Sequence, residues 1–348
     1  MTQTAGQTAT GRLTQTEYRV FAGREENMKG HVREKRFDGK MLKKRILNRE
    51  NIGFLWVLPA LILLCVFSLY PMFSAFRHSF TDWDGTTQAN FLGFQNYLEL
   101  LQDKLFWRSM GNVVLITIIS MLIGNGAAIL LAELMYNLKS KVANFYRFCF
   151  VLPAMAPSII VLLLWQRLIL SGASTSVANT ILRFFGLGQV GWFTDQNTAI
   201  VYISIFLFGF PWMGGTSFLI YLAGLNAIDP SIIEASRLDG LGAFRRIFLI
   251  DLPMIRGQLK YFIVMGFIGG LQNYSIQYAI TFGGPGEVIN SMQSGTIVPG
   301  YYIYRLINGS SRVGPYGYAC AMGMVMFLII LVITIINNKF IKSQDSDF

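Results

Sequence analysis

The chain has 348 residues, of which 53% are hydrophobic and only 14% charged, and it carries a formal net charge of +10. That balance excludes an ordinary soluble domain, in which about one quarter of residues are charged. The three cysteines and two histidines leave no material for a disulfide framework, a zinc site or a Ser/His/Asp triad.

Residues 1–50 are polar, basic and poor in large apolar side chains, the composition of a solvated segment that buries no core. This is not a cleaved signal peptide, since the first apolar run starts near residue 52 and has the length of a full span. Uncharged runs follow at Asn51–Phe76, Ser109–Ala132, Phe148–Gln166, Gln196–Ile228, Tyr261–Gly286 and Val313–Asn338. Each is about as long as the roughly 20 residues that a spanning helix needs. The expectation is an all-α, polytopic membrane protein with six transmembrane helices over 51–340 and a short tail at 341–348.

Cys65, Cys149 and Cys320 all fall within these runs, where thiols behave as small hydrophobes. Two further uncharged stretches, Leu168–Leu182 and Val288–Tyr304, are rich in Ser, Thr, Gly and Asn and read as loops or half-inserted pieces. Six spans put both termini on one side. The loops on that side and the tails hold 22 of the 29 basic residues, so that side is the cytoplasm. The basic end of the amino tail should attract anionic lipid headgroups. The charge is therefore a topology signal, and no soluble basic module for nucleic acid is present.

In chain order, the second run contains Gly111, Gly124, Asn125 and Gly126, small residues that favour packing inside a bundle. Pro153 and Pro157 are expected to bend or break the start of the third. Gly186 to Gly191 match a Gly-x-Gly-x-x-Gly pattern, but no strand precedes them and no helix of a βαβ unit follows, so no dinucleotide site is implied.

The polar island at 229–260 is the organising stretch. Asp229 can cap a helix that begins at Pro230. Gly240 and Gly242 break it, and a second amphipathic piece from Ala243 is expected to stop at Leu252-Pro253. Glu234 beside the small Ala235 and Ser236 suits docking rather than catalysis. The bland alternative is a loop that lies on the bilayer surface. In the fifth run and after it, Thr281-Phe282-Gly283-Gly284-Pro285-Gly286 marks a tight turn, and Tyr301, Tyr302 and Tyr304 follow on the outer side, as contacts for a binding protein or as belt anchors.

The residues Glu234-Ala235-Ser236, Asp239-Gly240, Phe244 and Leu252-Pro253 resemble the cytoplasmic EAA loop of ABC importer permeases, with Ser236 where that family usually has a second alanine. Leu58-Pro59-Ala60-Leu61, Tyr70-Pro71 and Phe91-Leu92-Gly93-Phe94-Gln95-Asn96-Tyr97 resemble the amino-terminal half of the carbohydrate type, and the likeness covers about residues 52–340. The resemblance implies the ABC type I importer permease fold in a bacterial or archaeal plasma (inner) membrane, with an EAA coupling helix. It further implies two ATPase subunits that hold the ATP and Mg, a second, different permease, an extracellular or periplasmic solute-binding protein, and a sugar, oligosaccharide or polyol-like solute. The chain itself is expected to bind no cofactor and to catalyse nothing, since it has no Gly-x-x-x-x-Gly-Lys-Ser/Thr loop and its short acidic tail leaves no fused ATPase domain.

A solute path is expected between the fourth and fifth spans, where Trp212 and Asn273 share a depth near mid-bilayer. At helical spacing Gly209, Trp212, Met213 and Thr216 form one stripe and Gly266, Gly270, Asn273 and Gln277 another. Amides suit a hydroxyl-rich solute and Trp offers an apolar ring face. The alternative is that Gly266 and Gly270 are a packing pair, with Asn273 and Gln277 bonding another helix. A secondary transporter or channel would retain Asp, Glu, His or Arg within its spans, and the six runs contain none.

Overall fold

The structure is a computed structural model, and it describes residues 52–86, 89–138, 140–210, 215, 217–309 and 314–340. The basic tail and the acidic end read from the sequence lie outside the described residues.

The chain divides into two units, with the boundary between Pro71 and Met72. The first contains α1 (Ile52–Leu64) and a wide turn, Cys65–Leu69, that continues it. Its side chains from Trp56 onward are exposed, Trp56 by 82% and Phe67 by 73%. Within a helix every backbone group is satisfied internally, so an apolar surface of this kind is what lipid accepts. Helix α2 (Tyr70–His78) follows.

The second unit starts within α2 and is almost wholly helical. A loop tied by Asp82, whose carboxylate accepts from both the backbone and the side-chain amide of Asn90, leads to α3 (Gln95–Gln102) and α4 (Lys104–Tyr136). Then come α5 (Ser140–Val151), α6 (Ser158–Leu164) and α7 (Val177–Phe184). The fourth run contains α8 (Thr198–Leu207) and α9 (Ser217–Asn226). The polar island holds α10 (Pro230–Leu238), α11 (Ala243–Arg246) and α12 (Leu252–Met254). Helix α13 (Arg256–Gln272) precedes a two-stranded hairpin of β1 (Val288–Ile289) and β2 (Met292–Gln293), paired antiparallel. Helices α14 (Pro299–Gly309) and α15 (Pro315–Phe340) complete it.

Helix α4 is the axis of this unit. Its 33 residues span about 50 Å at 1.5 Å per residue, more than the roughly 30 Å of a hydrocarbon core, so its ends project beyond lipid. Its first half packs Leu105, Phe106 and Met110 against Tyr301, Tyr302 and Leu306 of α14 and Tyr318 and Met322 of α15. Its second half packs Ala128, Ala132 and Met135 against Phe218, Tyr221, Leu222 and Leu225 of α9 and Ile233 of α10. A third cluster joins Leu162 and Trp165 to Val201, Ile205 and Ile280.

Buried and half-buried polar groups fix the register of these elements. Asp103 caps α4 through the amides of Leu105 and Phe106, while its other oxygen accepts from the hydroxyls of Tyr302 at 2.7 Å and Tyr318 at 2.8 Å. Asn112 donates to the carbonyls of Ser294 and Ile297 and accepts from Tyr202. One helix thereby holds the segment after the hairpin, which has few backbone partners of its own.

Several expectations need correction. Gly111 and Gly126 have open space beside them among the described residues. The third run does bend where its prolines were expected to bend it, by 95° between Lys141–Met155 and Ser158–Ile169, with Pro153 in a tight turn and Pro157 as the cap of α6. The stretch Leu168–Leu182 is partly helical, because the Ser176 hydroxyl accepts from the Asn179 amide and starts α7. The stretch Val288–Tyr304 forms the hairpin and the first turns of α14. Tyr301 and Tyr302 are 3% exposed, in the core rather than at a docking face.

Among the described residues, three helices are long and apolar enough to cross a bilayer, and two bent pairs qualify together.

Candidate solute cavity and coupling loop

A cavity of about 890 Å³ opens between α4, α6, α8 and α13. Its volume lies within the roughly 300–1,000 Å³ of small-molecule sites. Five of the path residues named from the sequence line it: Gly209, Gly266, Gly270, Asn273 and Gln277. Trp212, Met213 and Thr216 lie outside the described residues.

The helical stripes that led to these residues are not continuous. Helix α8 ends at Leu207, and Gly209 has a φ of +84°; Pro211, next but one, disfavours helical backbone at Phe210. Helix α13 likewise ends at Gln272, and Asn273 is extended (φ −78°, ψ 130°), with its side-chain oxygen accepting from the Ser275 amide at 2.9 Å. The chain then re-enters a wide helical turn at Gln277–Thr281. Non-helical backbone at membrane depth is tolerated where it lines a cavity or is buried in protein, and 273–279 line this one.

A Cβ at Gly270 would stand 2.5 Å from Thr117 Cγ2, and one at Gly266 would stand 3.1 Å from Met121, so both glycines let α13 press on α4. They also border the cavity.

The sequence reading missed the opposite wall. Thr117, Ser120, Met121, Gly124 and Asn125 of α4 line the cavity, with the i, i+3, i+4, i+7, i+8 spacing that defines one helix face. That spacing of polar and small residues within the second run was the available signal. Thr117 Oγ1 is buried without a hydrogen-bond partner. Asn125 accepts from the Tyr221 hydroxyl at 2.9 Å and donates to the Met121 carbonyl, which fixes which end of its amide faces α9. The remaining lining combines hydroxyls, Ser158, Ser217 and Ser275, with the rings of Phe206, Phe208, Phe262 and Tyr274.

At one end of this unit lies the polar island. Asp229 accepts from the Ser231 amide at 2.8 Å with Pro230 at the first helical position, and α10 runs to Leu238. That hydrogen bond holds the Asp229 carboxyl below the ordinary carboxylate range. Helices α9 and α10 meet at 74°. Gly240 has a φ of +71°, a left-handed turn that suits glycine.

Glu234, Ala235, Asp239, Gly240, Phe244 and Pro253 are exposed, and Leu252 is half-buried. Ser236 departs from its expected place: it is buried, and its hydroxyl donates to the Ile233 carbonyl at 2.7 Å. Three residues apart, Ile233 and Ser236 share the inward face. The second piece also does not stop at Pro253. A wide turn over Ile247–Asp251 leads into α12, where Pro253 occupies the first turn and needs no N–H partner, and the helix ends one residue later at Met254. Leu238 and Phe244 are 89% and 74% exposed, and Phe248 and Leu249 are exposed beside them. Apolar side chains grouped in this way mark an interaction surface.

Beneath the loop, Arg246 donates through Nε to Asp251 Oδ2 at 2.9 Å and lies 3.9 Å from Glu133 of α4. These three charges were not singled out from the sequence. The signal was an Arg and an Asp five residues apart in an otherwise apolar segment.

An apolar helical unit with a cavity between its helices fits a membrane transport component. Residues 124–345 match the family model described as "Binding-protein-dependent transport system inner membrane component", and the chain belongs to that family. It is thus a multi-pass permease subunit of an ABC importer, a membrane component without catalytic activity of its own. It is similar to the multiple sugar-binding transport system permease protein MsmF of Streptococcus mutans, 26% identical over 304 residues that cover 87% of this chain and 99% of the relative. It is 30% identical to the lactose transport system permease protein LacF of Rhizobium radiobacter, over 81% of this chain and 91% of that one. A chain of the bacterial alginate ABC transporter, solved in complex with an alginate pentasaccharide-bound periplasmic protein, superposes with a TM-score of 0.66 at 25% identity, over 85% of this chain and 95% of the other.

Proposed function

We propose that this permease carries a sugar, oligosaccharide or polyol-like solute into the cytoplasm along a path lined by Asn273, Gln277 and the α4 face at Thr117 and Asn125. The observation that carries the reading is the break of α13 at Asn273 beside a cavity of about 890 Å³ that the amide residues Asn273 and Gln277 line. Amides and hydroxyls satisfy the donors and acceptors of a polyol, and the neighbouring rings suit its apolar faces. The sugar-permease relatives support the same class.

In this reading the six uncharged runs are six spans, and both termini and the 229–260 loop face the cytoplasm. Of the two ATPase subunits, which hold the ATP and Mg, one docks against the face formed by Glu234, Ala235, Asp239, Gly240 and Phe244. A second, different permease completes the pathway, and an extracellular or periplasmic binding protein delivers the solute. The exposed apolar face at Leu238 and Phe244, flanked by exposed charges of both signs at Glu234, Arg237, Asp239 and Arg245, supports a protein partner.

The test is ATP-dependent uptake of a panel of radiolabelled mono- and oligosaccharides, neutral and acidic, by the transporter isolated through a tag on this chain. One or more saccharides should be imported, and Asn273→Leu should abolish most of that uptake in a complex that assembles fully. Import of no member of the panel, or parent uptake by Asn273→Leu at all concentrations, would refute the path.

A further inference from the structure

Arg246, Asp251 and Glu133 form a buried charge cluster drawn from two elements that are distant in sequence. The first two belong to the loop and Glu133 to the last turn of α4, and the three are 5%, 0% and 3% exposed. The planar fork of a guanidinium can serve several acceptors at once, and here it does. Besides Asp251, Arg246 donates to Asn137 Oδ1 at 3.4 Å, its Cζ lies 5.7 Å from the centre of the Tyr136 ring, and Glu133 stands 3.9 Å from the guanidinium as an ion-pair partner. Glu133, Tyr136 and Asn137 all stand at the end of α4. A cation of the loop is therefore gripped by the same helix whose Thr117, Ser120 and Gly124 form the cavity wall.

Stability does not account for this arrangement. Two carboxylates face one guanidinium, and both oxygens of Glu133 and Oδ1 of Asp251 have no hydrogen-bond partner. Well-packed apolar side chains in place of such a group are often neutral or stabilising. A buried ion pair differs from an apolar contact in another respect, since separating it leaves an uncompensated charge in a dry site. Apolar surfaces can slide past each other, whereas this cluster has one geometry in which its charges are paired.

We propose that Glu133 and Arg246 are positioning residues that join the coupling loop to α4, so that a displacement of α10 reaches the cavity wall as a movement of α4. The proposal rests on the reading of α10 as the helix on which the ATPase docks. Within the joint, the Arg246–Asp251 bond keeps α11 and the wide turn together, and the contacts to Glu133, Tyr136 and Asn137 carry the load across. Glu133→Gln keeps the volume and the loop's internal bond but removes the ion pair between elements. Arg246→Lys keeps the buried positive charge but loses the fork.

The experiment reconstitutes the tagged transporter, with the ATPase subunits that accompany it, in proteoliposomes, and measures ATPase recovery, hydrolysis without solute, and solute imported per ATP. The solute is the saccharide that the parent imports best. Both variants should retain their ATPase subunits and their hydrolysis without solute, while solute imported per ATP falls about fivefold or more, the size of an ordinary coupling between sites. A merely structural role would lower the yield of complex and leave that ratio unchanged in what survives. The joint is overturned if either variant imports at the parent ratio, or if both lose the complex itself. If the parent chain recovers no ATPase subunit, the docking reading fails and the joint falls with it.

Discussion

Gly270→Ala tests the contact on which the cavity depends. The added Cβ would lie 2.5 Å from Cγ2, 2.7 Å from Oγ1 and 3.0 Å from Cβ of Thr117. Carbon atoms prefer roughly 3.5–4.0 Å, so α13 and α4 must part by about 1 Å. Threonine cannot turn away, because it carries two heavy atoms on its Cβ in every rotamer. Overpacking of this kind costs about 1–3 kcal/mol, and the gain from replacing a helical glycine by alanine offsets about 1 kcal/mol of it. The net expectation is a loss of about 1 kcal/mol, together with reduced uptake, since the parted helices are two walls of the cavity. Thr117→Ala should relieve the clash, and it forfeits no hydrogen bond because Thr117 Oγ1 has no partner. The assay is thermal unfolding of the purified protein and uptake in the parent, both single variants and the double variant. The double variant should recover most of the stability lost in Gly270→Ala, a coupling of about 1–2 kcal/mol, within the range for residues in contact. Additive effects, or a Gly270→Ala protein as stable as the parent, would refute the close approach.

Asp103→Ala should remove both the α4 cap, worth about 1 kcal/mol, and the acceptor of Tyr302 and Tyr318, whose loss adds about 1–3 kcal/mol; Asp103→Asn should recover part of this, and unfolding midpoints of the two variants and of Tyr302→Phe check the division. Gly240→Ala places a β-carbon at a φ of +71° and should cost about 1–2 kcal/mol locally, so ATPase recovery on the tagged chain should fall while the unfolding midpoint of the membrane unit stays close to that of the parent.

The sequence by itself determined what depends on neighbours along the chain. Its uncharged runs are long enough to demand membrane, Asp229 before Pro230 starts α10, Gly240 turns the loop, and Pro153 and Pro157 bend the third run. Each follows from a few adjacent residues, and the loop's spacing pointed to the family before any geometry was known. Tertiary structure decided the rest. The periodicity of the fifth run continues through Asn273 with no breaking residue there, yet α13 ends at Gln272 and Asn273 faces a cavity whose other wall lies about 150 residues earlier. Nothing near Ser236 forbids an outward hydroxyl. The packing of Ile233 against α4 and α9 turns it inward. Likewise Arg246 reads as one more loop cation, and only the approach of α4 makes it the centre of a buried cluster with Glu133. A helical or turn preference is summed over adjacent residues and is legible in sequence, whereas which two faces meet is fixed by shape and burial across the whole bundle.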